Sequence, residues 1–227
     1  ITFGVKSTRD YDKYHEDRQY LEEVRVSLLT FAQSNGYLPC PDTDAIADGV
    51  ENRTGDVCNS KNGFLPYKML GVKPRDAWNQ PLYYTINARA DVSGAQEIAV
   101  VTEPASYFNN ILAPVFNTLT KPFALTGGGG NLTICGESAA GCSGVTADAD
   151  LIELAAIAVV VGFGKNGAET WAGNATSASE IVNSNTNNFF WKAVGSNVAG
   201  QEFDDQLIWL TGYDVKYALL RSERGLQ

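Results

Sequence analysis

The hydrophobic and polar positions of the first 35 residues follow the period of an amphipathic helix. From Thr8 to Ser34 the chain contains no Gly or Pro. Gly36 is a natural stop, since glycine readily adopts the left-handed conformation that ends many helices. The pattern therefore predicts a helix over Thr8–Ser34. Its apolar residues recur at spacings that place them on one stripe: Tyr14, Leu21, Val24, Leu28, Phe31 and Ala32.

The charged residues of this segment lie largely away from the stripe and are interpreted as a solvated face: Asp17, Arg18, Glu22, Glu23 and Arg25. The first third of the helix, Arg9–Arg18, is nearly all polar. Because it has little apolar surface to bury, this part is predicted to protrude from the rest of the protein.

Further apolar runs predict strands, of which Leu154–Phe163 is the most apolar and is expected to be central and buried. The others are Pro81–Asn87, Glu97–Thr102 and Gln206–Leu210. Helices are predicted over Ser106–Thr120, which Pro114 interrupts, and over Gly212–Arg224. Gly127–Gly130 is interpreted as a hairpin tip or hinge, and Gly164–Asn188 as a surface excursion. We find no internal repeat and divide the chain into a helix, residues 1–36, and a head, residues 37–227.

Composition and charge exclude some functions. A hydrophobic content of 44% and a charged content of 19% are typical of a folded domain. The formal net charge of -9 and a pI near 4.6 argue against a nucleic-acid partner, because phosphate binding needs clustered Lys and Arg. Binding to an anionic lipid surface is disfavoured for the same reason.

The four cysteines form two local pairs. Of the three connectivities that four cysteines allow, proximity favours Cys40 with Cys58 and Cys135 with Cys142. A zinc site is the rival interpretation, but the sequence has no C-x-x-C pair and its one histidine, His15, falls in the predicted helix. Disulfides are favoured, and they indicate an oxidising compartment such as a periplasm or a cell surface.

Gly162–Gly167 matches the G-x-G-x-x-G pattern of dinucleotide-binding proteins after a predicted strand. That fingerprint also needs a crossover helix and a second strand ending in an acidic residue, and the residues that follow predict neither. The motif is interpreted as a tight turn.

Catalytic chemistry finds little support in the sequence. His15 is remote from any serine or cysteine of the head, so no activated nucleophile is predicted. Asp204 and Asp205 are the one carboxylate pair to consider for acid–base work. As neighbours in a strand they would point to opposite faces, and they are predicted to cap a turn or pair with an arginine.

No cofactor is predicted, with a structural calcium ion kept as an alternative. Five acidic residues crowd the first cysteine loop, although the EF-hand pattern fails there: Asp42, Asp44, Asp48, Glu51 and Asp56. Four aromatic residues of an otherwise polar region are considered both as the edge of a core and as a platform for a ligand such as a sugar: Trp171, Phe189, Phe190 and Trp191.

A series of short motifs resembles bacterial type IV pilin-like minor pilins and type II secretion pseudopilins. It runs from Asn35–Pro41 (NGYLPCP) through Gly63–Tyr67 (GFLPY) to Asp76–Tyr84 (DAWNQPLYY), where Asn79 replaces a glycine that is usual in that group. Val161–Gly167 (VGFGKNG) and Phe203–Leu210 (FDDQLIWL) also resemble the group.

The resemblance implies an α+β fold in which the N-terminal helix packs on an antiparallel β-sheet, with loop insertions and a short C-terminal helix. Leu21, Val24 and Leu28 would then dock the helix on the sheet, and Cys40–Cys58 would brace the loop that follows. It also implies an upstream segment, not seen here, that anchors the protein in the inner membrane before assembly.

The expected function is a non-enzymatic structural subunit whose partners are other pilin or pseudopilin subunits. The expected location is the periplasm or the cell surface. A surface adhesin or glycan-binding head on the same scaffold is the alternative.

Overall fold

The computed structural model describes residues 3–87, 107–112, 114–116, 132–137, 141–175, 177–192 and 204–221. The helices among them are α1 (Phe3–Asn35), α2 (Tyr67–Leu70), α3 (Gly167–Trp171), α4 (Ala178–Ser184) and α5 (Gly212–Arg221). The strands are β1 (Arg53–Thr54), β2 (Val57–Cys58), β3 (Asn62–Phe64), β4 (Tyr83–Ile86), β5 (Leu132–Cys135), β6 (Leu151–Gly162), β7 (Phe189–Trp191) and β8 (Gln206–Thr211). The protein is therefore mixed α+β, with a long N-terminal helix.

Strand β6 is the centre of the main sheet. It pairs antiparallel with β8 along one edge, and with β4 and then β5 along the other. Its second half, residues 156–162, is buried throughout, as the apolar run predicts. The expected strands at Pro81–Asn87 and Gln206–Leu210 form β4 and β8 within a residue or two of the predicted bounds.

The sheet is mixed, and the expectation of a wholly antiparallel sheet is wrong at one edge. Strand β7 pairs parallel to β5, with Phe190 opposite Ile134. The reason is the connection from β6, which returns the chain to the start of β5, where the amide of Thr133 donates to the carbonyl of Asn188. Strand β7 consequently runs in the same direction as β5.

Apolar clusters cover both faces of the sheet. On one face α1 and α5 pack on the strands, and Val24 and Leu28 join Val160, Leu210 and others in a single cluster. On the other face Phe163 and Trp171 pack against Leu132, Val159 and neighbouring residues. The segment predicted to be a surface excursion, Gly164–Asn188, instead contributes Trp171 of α3 to this second layer, and its helix α4 contacts strand β7.

The predicted helix is not found in the described residues between 106 and 120, and two other predictions lie outside the described part of the chain. Residues 107–112 form a turn and a bend, and residues 114–116 have no regular structure, so neither range is part of the predicted helix Ser106–Thr120. This agrees with the disruptive effect of Pro114. The predicted strand Glu97–Thr102 and the glycine run Gly127–Gly130 lie outside the described residues. None of the helices in the described ranges is long and apolar enough to cross a membrane.

Candidate functional site

The apolar stripe of α1 lies on the sheet as the expected docking would require. Leu21, Val24 and Leu28 have exposed fractions of 2%, 0% and 0%. Gly36 ends the helix with a φ of 80°, and a side chain there would collide with Pro114. The opposite side of α1 remains in solvent, including Val26 and Tyr11. From Arg9 onward the helix is thus covered mainly on one side.

The polar third of α1 does not protrude, contrary to the prediction. The hydroxyl of Tyr14 donates to Asp204 over 3.3 Å, and the side-chain amide of Gln206 donates to the carbonyl of Tyr14 over 3.0 Å. Asp17 accepts a hydrogen bond of 2.7 Å from the amide of Ala77. Hydrogen bonds to the head replace the missing apolar contacts, so this third of the helix also lies on the head.

Asp17 was assigned to the solvated face, and this assignment is wrong because the side chain is only 4% exposed. The sequence did contain a signal, since Asp17, Leu21, Val24 and Leu28 follow one another at spacings of four, three and four. That periodicity puts Asp17 on the buried stripe one turn before Leu21. Its charge, rather than its position, led to the solvated assignment.

Asp76 lies close to Asp17 and closes the turn before β4. One of its carboxylate oxygens accepts from the amides of Trp78 and Gln80, at 2.9 and 2.7 Å. Burial, with the nearby charge of Asp17, raises the pKa of Asp76 to about 6, and burial likewise raises the pKa of Asp17. Asn79, in the same turn, has a φ of 64°, a conformation that glycine and asparagine tolerate best.

Three more carboxylates meet on the other side of Tyr14, and we call Glu180, Asp204 and Asp205 the carboxylate cluster. One oxygen from each lies within 4.8 Å of the others. Burial raises the pKa of Asp204 to about 6 and also raises the pKa of Asp205 well above its ordinary range. The two aspartates converge on Glu180 rather than pointing to opposite faces, because they precede strand β8 instead of lying in it. Of the two predicted roles, capping a turn is confirmed for Asp204, which accepts from the amide of Lys165.

The glycine motif explains how this cluster is built. Gly164 has a φ of 60°, and a side-chain carbon there would lie 2.6 Å from the carboxyl carbon of Asp204. The bare backbone lets the next amide, that of Lys165, donate to Asp204 over 2.7 Å. Gly162–Gly167 is thus a tight turn that receives a carboxylate, which brings together the two late segments, VGFGKNG and FDDQLIWL.

The cysteines are paired as proximity favours. The structure joins Cys40 to Cys58, with Cα atoms 5.3 Å apart, and Cys135 to Cys142, with Cα atoms 5.6 Å apart. Cys40 and Cys58 belong to the same apolar cluster as Val24 and Leu28. The first disulfide therefore lies against the helix-to-sheet contact.

Only part of the acidic set in the first cysteine loop comes together. Asp42, Asp44 and Asp48 have oxygens within 4.8 Å of one another. Glu51 instead contacts Arg53 and the amide of Cys40, and Asp56 accepts from the side chain of Asn110. Each carboxylate oxygen of the buried Asp42 already accepts a hydrogen bond, one from the amide of Asp44 and one from the amide of Gly49, so Asp42 is satisfied without an ion.

The four aromatic residues do not form one ligand platform. Phe190 is fully buried, so its ring is not accessible to a sugar. Trp171 packs against Phe64 with ring centres 4.5 Å apart, and its indole N–H donates to Pro81. Phe189 and Trp191 pack against the disulfide Cys135–Cys142. His15 is exposed on α1, beside Tyr11.

Comparisons of this chain with protein-family models, with curated proteins and with solved structures find no match.

Proposed function

We propose that this protein is a non-enzymatic structural subunit, a minor pilin or pseudopilin, of a type IV pilus or a related secretion filament. The observation that carries the proposal is the one-sided burial of α1. The helix has 33 residues and is about 50 Å long at 1.5 Å per residue. From Arg9 onward it packs one stripe on its own head and leaves much of the other side in solvent. Such a helix has a free side for contacts with other subunits.

The exposed side of α1 carries apolar residues that lie largely in solvent. Val26 is 59% exposed and Tyr11 is 65% exposed. Val26 lies two residues from both Val24 and Leu28, which places it roughly opposite the buried stripe at 100° per residue. In a filament built on helix-to-helix contacts, this side would be covered by the helices of neighbouring subunits.

The arrangement of the head supports the same proposal. The motif series from Asn35 to Tyr84 forms the helix end, the Cys40–Cys58 loop and strand β4, which together seat α1 on the sheet. Disulfides persist in oxidising compartments, which favours the periplasm or the cell surface. The membrane anchoring expected for this class of subunit belongs to the proposal as well.

The test uses the complete gene in its own host. A deletion strain is complemented with the wild type, with Val26→Arg, or with Ile46→Arg. The control residue, Ile46, is 85% exposed in the first cysteine loop, away from α1. We expect wild type and Ile46→Arg to appear in the sheared filament fraction on an immunoblot, and Val26→Arg to be depleted from it while its total amount is unchanged.

The proposal would be overturned if the protein never entered the filament fraction and the deletion strain kept normal filaments and secretion. Equal incorporation of Val26→Arg and Ile46→Arg would contradict the role of the exposed side of α1.

A further inference from the structure

The carboxylate cluster buries more negative charge than the described residues around it neutralise. Glu180 is 1% exposed and Asp205 is 8% exposed, and Asp204 lies directly beside them. Within the described ranges none of the three has a salt-bridge partner. The Lys165 ammonium lies 3.2 Å from Asp10, and the hydrogen bonds to Asp204 come from two uncharged donors, the backbone amide of Lys165 and the hydroxyl of Tyr14. Burying ionised carboxylates without a compensating charge is costly.

Each member of the cluster is held in place by a hydrogen-bond donor. Asn183 donates to one oxygen of Asp205 over 2.8 Å. The amide of Lys165 fixes one oxygen of Asp204, and the side-chain amide of Asn166 donates to Glu180. These bonds come from the turn after β6 and from α4, so the cluster is a built site on ordered elements.

Other oxygens around the cluster are buried and have no donor. They are Oδ1 of Asp204, Oδ1 of Asp205 and Oδ1 of Asn166, the residue whose side-chain amide donates to Glu180. Buried polar atoms in native proteins are nearly always satisfied by protein, water or an ion. Because Asp205 is more than nine-tenths buried, its orphaned oxygen is an independent sign that something binds here.

We propose that the carboxylate cluster binds one divalent cation of the calcium type. Glu180, Asp204 and Asp205 supply the charged ligands and Oδ1 of Asn166 a neutral one. Calcium takes six to eight oxygens at about 2.3–2.6 Å, so two oxygens on one ion lie at most about 5 Å apart. The 4.8 Å limit on the three carboxylate oxygens fits that geometry.

The site has a route to solvent and a structural consequence. Asp205 also lines a cleft of about 710 Å³ whose wall includes Arg18 and Glu22 of α1 and Trp209 of β8. Through the hydrogen bond from Tyr14 to Asp204, an ion in the cluster would hold the polar third of α1 on the head. The cation is therefore expected to stabilise the fold rather than to catalyse a reaction.

The experiment measures the melting temperature of chelator-treated protein at pH 7.5, with and without excess CaCl₂, and calcium binding by calorimetry. We expect calcium to raise the melting temperature with one-to-one stoichiometry. Asp205→Asn and Glu180→Gln should lose both the rise and the binding while keeping the wild-type far-ultraviolet circular dichroism. Asp44→Asn, in the other acidic group, is the matched control and should keep both.

A proton is the rival occupant, and the same experiment separates it from a cation. If protons satisfy the cluster, Asp205→Asn raises the melting temperature of the calcium-free protein and calcium has no effect, which overturns the proposal. A calcium response that survives in Asp205→Asn but is lost in Asp44→Asn also overturns it, since the ion then binds in the first cysteine loop. If a cation binds in the cluster, the calcium-dependent rise in melting temperature must become smaller as the pH falls from 7.5 to 5, because protons compete for the same oxygens.

Discussion

The two halves of α1 contact the same head by different physical means. From Leu21 onward the contact is mainly apolar, with Val24 and Leu28 fully removed from solvent. Two polar contacts to α5 accompany it, from Arg25 to Asp214 and from Gln33 to the carbonyl of Ala218. Before Leu21 it is richer in polar contacts, with hydrogen bonds from Tyr14 and Gln206 and the buried carboxylate of Asp17. The rings of Tyr14 and Tyr20 add apolar contacts, the first of them with Trp78. A hydrophobic contact is insensitive to pH, whereas a contact built on buried carboxylates depends on their protonation. The comparison predicts that one half sets most of the stability and the other makes it respond to pH and ions.

The largest effect is expected at the apolar half. Leu28→Ala should lower the free energy of unfolding by about 2–5 kcal/mol, because it removes buried methyl groups and leaves a cavity in the main cluster. Urea unfolding followed by circular dichroism measures this change. Val26→Ala, on the solvent side of the same helix, is the control and should change it by less than about 0.5 kcal/mol. Equal effects would show that the contact between α1 and the sheet contributes little.

The next largest loss of stability is expected on removal of the disulfide Cys40–Cys58, which belongs to the same apolar cluster as Val24 and Leu28. Replacing Cys40 and Cys58 with alanine should cost about 3 kcal/mol, since the crosslink restricts the unfolded chain over a separation of 18 residues. The same change at Cys135 and Cys142, whose separation is 7 residues, should cost about 2.5 kcal/mol by the same entropy argument. Chemical denaturation under oxidising conditions compares the two. If both double variants unfold like the wild type, neither disulfide braces the head.

The polar half should make the protein more stable in mild acid. The pKa values of Asp76 and Asp204 are raised by burial to about 6 in the folded state, above the value of 3.8 expected when unfolded. The folded state therefore holds more protons, so this contribution is complete below about pH 4 and is lost as the pH rises through about 6. Melting temperatures in chelator-containing buffers from pH 4 to 8 should fall across that window and then level off.

Asp76→Asn is the sharper form of this prediction, because asparagine imitates the protonated side chain. The variant should flatten the fall between pH 4 and pH 6. Asp44 is an exposed aspartate of the first cysteine loop, so Asp44→Asn is the control and should keep the wild-type profile. A wild-type profile that rises with pH would show that the carboxylates of the polar half are paired with cations.

The smallest effect is expected at the hydrogen bond from Tyr14 of α1 to Asp204 of the head. Tyr14→Phe removes the hydrogen bond to Asp204 and should cost about 1 kcal/mol. It should also increase amide hydrogen exchange at Asp10–Asp17 more than at Val24–Ala32, because only the first segment loses a tether. Uniform exchange along α1 would mean that the helix responds as one rigid element.

The elements of the fold followed from patterns that repeat along the chain. The stripe through Leu21 and Leu28, the apolar run of β6 and the helix stop at Gly36 each rest on local periodicity or local backbone geometry. The carboxylate cluster could not be predicted from such local patterns. Gly164 and Asp204 are forty residues apart. Neither a glycine in a turn nor an aspartate before a strand indicates by itself which residue it will contact. The prediction of a protruding helix start failed because a polar segment was assumed to have nothing to bind.

By itself, the sequence determined a long helix with one apolar side, a central buried strand, and four cysteines in local pairs suited to an oxidising compartment. Only the tertiary structure decided that the first turns of that helix lie on the head, and that Glu180, Asp204 and Asp205 share one buried space. The physical reason is that hydrophobic burial leaves a periodic trace in the order of residues. Polar contacts between distant segments depend on which segments the fold brings together, and no periodic pattern in the sequence records them.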